Sequence, residues 1–106
     1  MSRARAYLAA GADGVFVPGV TDAETIRRLA AAVQAPLNVL AGPGSPRVTE
    51  LRALGVARAS VGPGLSRAIM AHIRRASVEL LGPGTYEELR EQVPSPEANA
   101  LFAARG

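Results

Sequence analysis

One design occurs three times in this chain: a short apolar run closed by a turn of proline and glycine. The runs are Gly14-Val-Phe-Val-Pro-Gly19, Pro36-Leu-Asn-Val-Leu-Ala-Gly-Pro-Gly44 and Arg58-Ala-Ser-Val-Gly-Pro-Gly64. Runs this short, stopped by glycine or proline, read as short buried strands, and the first, Gly14 to Val17, as one buried on both faces. Their closing glycines, Gly19, Gly44 and Gly64, stand 25 and 20 residues apart. That spacing leaves room for one helix per interval, and strands alternating with helices imply parallel βα units with right-handed crossovers.

The helical intervals carry their own punctuation. Arg3 to Ala10 is a strong helix former that stops at Gly11. Thr21-Asp-Ala-Glu24 reads as a capping box that starts a helix at Asp22, with Ile26, Leu29, Ala30 and Val33 on one face and Pro36 as the stop. Ser45 is expected to cap a helix beginning at Pro46, with Val48, Leu51 and Leu54 inward and Gly55 behind it. The longest helix runs from about Pro63 to Leu81, with Leu65, Ile69, Ile73, Ala76 and Leu80 on one side. After Gly82-Pro-Gly84, a second capping box at Thr85 to Glu88 and a helix start at Ser95-Pro96 give a helical tail.

The expected fold is therefore α/β, a partial (β/α)8 TIM-type barrel of about three strands with a C-terminal helical tail, divided as residues 1–82 and 83–106. A closed barrel of this type takes roughly 200 to 250 residues, and the sequence has 106. Three parallel strands leave two apolar edges unpaired, which a soluble sheet must cover. The expectation is completion by an N-terminal half-barrel or by another copy of the chain.

Composition narrows the chemistry. The chain has no lysine, so it forms no Schiff base, and no cysteine, so it has neither a thiolate nucleophile nor a thiolate metal ligand. Net charge is +3, but all twelve basic residues are arginines dispersed from Arg3 to Arg105, with only Tyr7, Phe16, Tyr86 and Phe102 as aromatics. That dispersion argues against a nucleic-acid surface. No apolar run is long enough for a membrane span, and the start Met1-Ser2-Arg3 shows no signal peptide, so a cytoplasmic address is expected.

Few side chains are left for a site. Asn38 is an amide in an otherwise apolar strand and needs a partner, either a ligand or a hydrogen bond inside the barrel. Ser60 is its counterpart in the third strand and reads as a small core hydroxyl. Gly42 and Gly44, with Ser45 as the nearest side-chain donor, lie where barrels often bind phosphate, although proline in the turn removes a donor. His72 sits on the long helix as an exposed or interfacial residue, and Tyr7 as helix packing. Asp13 precedes its strand, at the end opposite the usual active face, while Asp22, Glu24, Glu50, Glu87 and Glu88 read as caps or helix surface. No catalytic pair and no metal set can be assembled from them.

Three segments in order carry a resemblance: Arg3-Ala-Arg-Ala-Tyr-Leu-Ala-Ala-Gly-Ala-Asp-Gly-Val-Phe-Val-Pro-Gly19, Pro36 to Gly44, and Leu54-Gly-Val-Ala-Arg-Ala-Ser-Val-Gly-Pro63. Together they resemble the sixth to eighth strands of the isocitrate lyase/phosphoenolpyruvate mutase family. The resemblance implies the C-terminal portion of a Mg²⁺-dependent barrel enzyme acting on small keto or hydroxy carboxylates, as a carbon–carbon lyase or a phosphonomutase. It implies that the metal-binding acids and the catalytic loop lie on strands this chain does not contain, so that the chain is inactive without them. It assigns a substrate-binding role to Asn38, and it places the Leu65 to Leu80 face against a neighbouring subunit. Pro18 stands where lyase members tend to have a glutamate, and Leu-Ala-Gly-Pro follows Asn38 in place of their Thr-Glu-Phe-Gly. The chain is closer to a branch with the Val-Pro-Gly and Ala-Gly-Pro-Gly pattern. The alternative expectation is a non-catalytic, self-associating half-barrel that binds a small anion or phosphate at its Gly-Pro-Gly loops.

Overall fold

The computed structural model describes residues 2–103. Its elements are α1 (Ser2–Ala9), β1 (Val15–Val17), α2 (Ala23–Ala32), β2 (Leu37–Leu40), α3 (Val48–Ala53), β3 (Arg58–Ser60), α4 (Gly64–Leu81), a 3₁₀ turn (Glu87–Leu89) and α5 (Ser95–Ala103). The alternation expected from the three repeats is what forms. The strands make one sheet in the order β1-β2-β3, parallel throughout. They are shorter than the runs in sequence, because pairing stops where the Pro/Gly turns take the backbone out of the ladder.

The chain divides into two compact units, one up to Leu65 and one from Ser66 onward. In the first unit the sheet has two unlike faces. Leu37 and Val39 point to the helix side and form one buried cluster there with Ile26 of α2 and Leu51 of α3, while Val15 on the same side is buried outside that cluster. Burial of each such side chain contributes about 1.5–3 kcal/mol, so this cluster is what ties α2 and α3 to the strands. The opposite face carries Phe16, Asn38, Leu40, Arg58 and Ser60, fixed by the register Phe16↔Asn38↔Arg58 and Leu40↔Ser60. None of its residues is fully buried: Asn38, Leu40 and Ser60 are half-buried, Arg58 is exposed and Phe16 is 51% exposed. The first strand, expected to be buried on both faces, is buried at Val15 on one and more than half exposed at Phe16 on the other.

Three helix starts differ from expectation. Asp22, not Thr21, caps α2: its carboxylate accepts the Thr25 N–H at 2.8 Å, which holds its carboxyl below the ordinary range. Glu24, freed from the predicted box, pairs with Arg27. At α3 the Arg47 N–H donates to Glu50 at 2.6 Å, and the helix begins at Val48. Ser45 is thus not its cap. The expected Thr85–Glu88 box is also replaced, as the second unit shows.

In that second unit, Glu79 of α4 accepts three hydrogen bonds, from the Thr85 hydroxyl at 2.6 Å and from the Glu87 and Glu88 N–H groups at 2.7 and 2.8 Å. A carboxylate eight residues before the 3₁₀ turn therefore satisfies the turn's first two N–H donors. In return, Glu88 accepts from Arg75 Nε at 3.1 Å and lies 3.6 Å from His72 Nδ1. Ala76 is the buried residue of α4, whereas Leu65, Ile69 and Ile73 of the predicted stripe are more than half exposed. The stripe exists, but the described residues do not cover it.

The Glu79 clasp has a pH signature. The Thr85 hydroxyl first, then the Glu88 and Glu87 N–H groups, keep its carboxyl below the ordinary value of 4.5. Because the folded value is the lower one, the stabilisation is fully present above pH 4.5 and is lost as pH falls through the lowered value. The amide resonances of Glu87 and Glu88 are expected to move cooperatively in that acid window. In Glu79→Gln the movement is expected to disappear, and its persistence there would show that another group controls the clasp.

Candidate functional site

The C-terminal ends of β1, β2 and β3 open into Pro18-Gly19, Gly42-Pro-Gly44 and Gly62-Pro-Gly64, so the three turns lie along one rim of the sheet. The β2 turn is the most constrained. Ser45 N–H donates to the Gly42 carbonyl at 2.9 Å, and Gly42 N–H donates to Ser45 Oγ at 3.0 Å. Gly44 closes this loop at φ +87°, a backbone state that an L side chain adopts only under strain. The reciprocal pair occupies the Gly42 donor, so a ligand at this rim would meet the Gly44 N–H and the Ser45 hydroxyl hydrogen rather than a row of free amides. Beside the turn, a cleft of about 550 Å³ is bordered by Thr21, Arg27, Ser45, Pro46 and Glu50. Its charged groups are already engaged, Arg27 with Glu24 and Glu50 with the Arg47 N–H.

Asn38 lies lower, as the second residue of β2 and on the uncovered face. Its Oδ1 accepts the Ser60 hydroxyl at 3.0 Å. The partner required by an amide in an apolar strand is therefore, for the oxygen, a residue of the next strand. The same bond gives Ser60 a partner and a place on this face rather than in the helix-side core. The Asn38 NH₂ has no hydrogen-bond partner among the described residues. Since no buried side-chain nitrogen or oxygen there lacks a partner, this nitrogen reaches the surface.

Sequence reasoning passed over Arg58. It was visible as part of the third run, two residues before Ser60 and so on the same face of a strand. What was missing was the register, which sets Arg58 directly beside Asn38. Arg58 is exposed and makes no ion pair or hydrogen bond among the described residues. Of the acids of this unit, Asp22 holds Thr25, Glu24 and Glu50 are engaged as described, and Asp13 forms no ion pair with Arg58.

His72 is on α4 in the second unit, with Glu88 and Arg75 as neighbours. A cleft of about 440 Å³ beside it is bordered by Arg74, Arg75, Glu79 and Glu87. No three His, Cys, Asp or Glu residues among those described are grouped to hold a metal ion. An uncovered sheet face whose polar groups are an amide, a hydroxyl and a guanidinium does not suit Mg²⁺, which takes oxygen donors, carboxylates foremost. No helix among the described residues is long and apolar enough to cross a membrane.

Comparison with known proteins gives a consistent result. The family model for phosphoenolpyruvate phosphomutase matches residues 1–81. Two uncharacterized proteins of Mycobacterium tuberculosis are each 39% identical over 94% of this chain and 37% of their own length. The crystal structure of a Burkholderia cenocepacia protein described as a lyase/mutase superposes with a TM-score of 0.89 at 42% identity, covering 98% of this chain and 38% of that one. Oxaloacetate acetylhydrolase, solved with its product oxalate, superposes with a TM-score of 0.70 at 25% identity over 96% of this chain and 36% of its own. The chain thus spans well under half the length of these relatives, and its three-stranded α/β unit matches part of their barrel.

Proposed function

This chain belongs to the phosphoenolpyruvate phosphomutase family, within the isocitrate lyase superfamily, and on that premise we propose that it forms the part of a barrel enzyme's substrate site contributed by the last three strands. The substrates in this reading are small keto or hydroxy carboxylates, and the reaction is carbon–carbon lysis or phosphonomutation. Asn38 faces the ligand from β2, and Gly42, Gly44 and Ser45 shape the rim above it. Metal binding and bond-breaking belong to the portion of the relatives that this chain does not span, and the uncovered sheet face belongs to a covering half-barrel or a second copy.

The single observation that carries this reading is the sheet itself. Its helix-side face is sealed by Ile26, Leu37, Val39 and Leu51, while the face bearing Asn38 is left open. In a parallel barrel the face away from the helices is the interior, and ligands bind where strands end and loops begin. Nothing on this face transfers a proton near neutral pH, since Asn38, Ser60 and Arg58 supply hydrogen bonds and a fixed positive charge only.

The test is direct. The purified 106-residue chain is expected to show no turnover of small keto or hydroxy carboxylates with Mg²⁺ present, while oxalate perturbs the backbone amides of Gly44 and Ser45 in a ¹⁵N-labelled sample. Measurable lyase activity from the chain alone would remove the claim that the reacting groups lie elsewhere. Unmoved Gly44 and Ser45 resonances would remove the rim from the site.

A further inference from the structure

The open sheet face carries two side chains with unused donors on adjacent strands. Arg58 presents a guanidinium with five N–H donors and no protein partner among the described residues. Asn38, its Cα partner across the ladder, presents two more on an NH₂ group without a partner. Neighbouring strands lie about 4.8 Å apart, so both groups rise from one rung of the sheet.

The Ser60 hydrogen bond gives the pair a polarity. An asparagine amide ordinarily offers both a carbonyl oxygen and an NH₂ group, and it can turn over to suit what it meets. Here the oxygen is held by the Ser60 hydroxyl at 3.0 Å, which leaves the nitrogen for anything approaching the face. Asn38 and Arg58 together thus turn N–H donors to the face, while the amide oxygen is committed to Ser60 through one of its two lone pairs. Phe16 occupies the same row on β1 and Leu40 the next position along β2, so apolar surface borders the donors. A cation placed beside apolar surface favours an anion over a neutral partner.

We propose that Asn38 and Arg58 form a carboxylate seat on the open face of the sheet, with Ser60 as the positioning residue that turns the amide nitrogen outward. One carboxylate oxygen accepts from the asparagine NH₂ and the other from the guanidinium. The seat lies below the strand-end turns, so a dicarboxylate reaching both would be held at two depths. This deepens the substrate-site reading above and rests on it, but it depends on Arg58 and not on the Gly42–Ser45 turn.

The experiment is a titration of the ¹⁵N-labelled chain with sodium oxalate, against sodium chloride at matched ionic strength. Oxalate is expected to shift the Asn38 side-chain NH₂ and Arg58 Nε resonances saturably, and chloride to leave them in place. In Arg58→Gln the Asn38 response is expected to weaken about tenfold, the low end for a lost charge-assisted hydrogen bond. In Ser60→Ala the Arg58 response remains while the Asn38 response is lost, a separation that a general loss of structure would not produce. Arg58→Lys, which keeps the charge but not the planar fork, is expected to retain part of the response and serves if Arg58→Gln does not fold. Equal shifts with chloride, or an Asn38 response unchanged in Arg58→Gln, would overturn the seat. A response confined to Gly44 and Ser45 would overturn it while sparing the rim, and silence at both would remove both.

Discussion

Leu37→Ala is expected to lower the unfolding free energy of this chain by about 2–5 kcal/mol, the range for truncating a fully buried leucine. Leu37 is 1% exposed and lies in one cluster with Ile26, Val39 and Leu51. These four are the most completely buried large side chains among the described residues. The chain contains no tryptophan, which makes far-ultraviolet circular dichroism in urea the practical readout. Phe16→Ala is the control. It removes a larger side chain from the same sheet, but from the open face where that side chain is half exposed, and a loss below about 1 kcal/mol is expected because most of the water contact is already present. Equal losses for the two variants would mean that both faces are covered in solution.

The second large effect is expected from Gly14→Ala. A Cβ at this position would stand 2.8 Å from the carbonyl oxygen of Pro36, and that oxygen accepts the Val15 N–H at 2.9 Å. The obstacle is backbone rather than a side chain that could swing aside. Relief has to come from moving β1 away from the start of β2. The cost is expected at about 1–3 kcal/mol, as for other overpacked contacts, accompanied by faster hydrogen exchange at the Val15 amide. An unchanged urea midpoint together with an unchanged Val15 exchange rate would show that the strands tolerate the methyl group.

Much of this architecture could be read from the sequence because it rests on short-range signals. Glycine and proline mark where each strand ends, the 3.6-residue period marks the helix between, and alternation makes the sheet parallel. The failures involve groups with two local choices of similar strength. Ser45 could cap the helix ahead or bond back to Gly42, and once Glu50 had taken the Arg47 N–H the backward bond remained. Thr21 and Asp22 are both good caps, and the carboxylate is the stronger acceptor of the two. The Thr85 box was displaced by Glu79, a residue outside any capping pattern, brought close by the Gly82–Gly84 loop.

The candidate site was half visible for a similar reason. Asn38 stood out because it is polar within an apolar run, and strand chemistry alone demanded a partner for it. That its oxygen would be met by Ser60 and its rung shared by Arg58 depends on register, which comes from how two distant segments align. The stripe on α4 shows the same limit: periodicity picked the side on which Ala76 is buried, but could not say whether the chain itself supplies a cover for Leu65, Ile69 and Ile73.

The two faces of β2 also work as a ruler and a scale. A slip of one residue would carry Asn38 into the cluster with Ile26 and Leu51 and expel Leu37 and Val39, so the sealed face permits a single alignment of the strand. That alignment is the one that sets Asn38 level with Arg58 and within reach of Ser60. The spacing of the polar groups in front is thus measured out by the aliphatic groups behind. Substitutions among Ile26, Leu37, Val39 and Leu51 that leave the chain folded are therefore expected to detune the proposed carboxylate seat, read as a weaker oxalate shift at Asn38, without altering Asn38, Arg58 or Ser60 themselves.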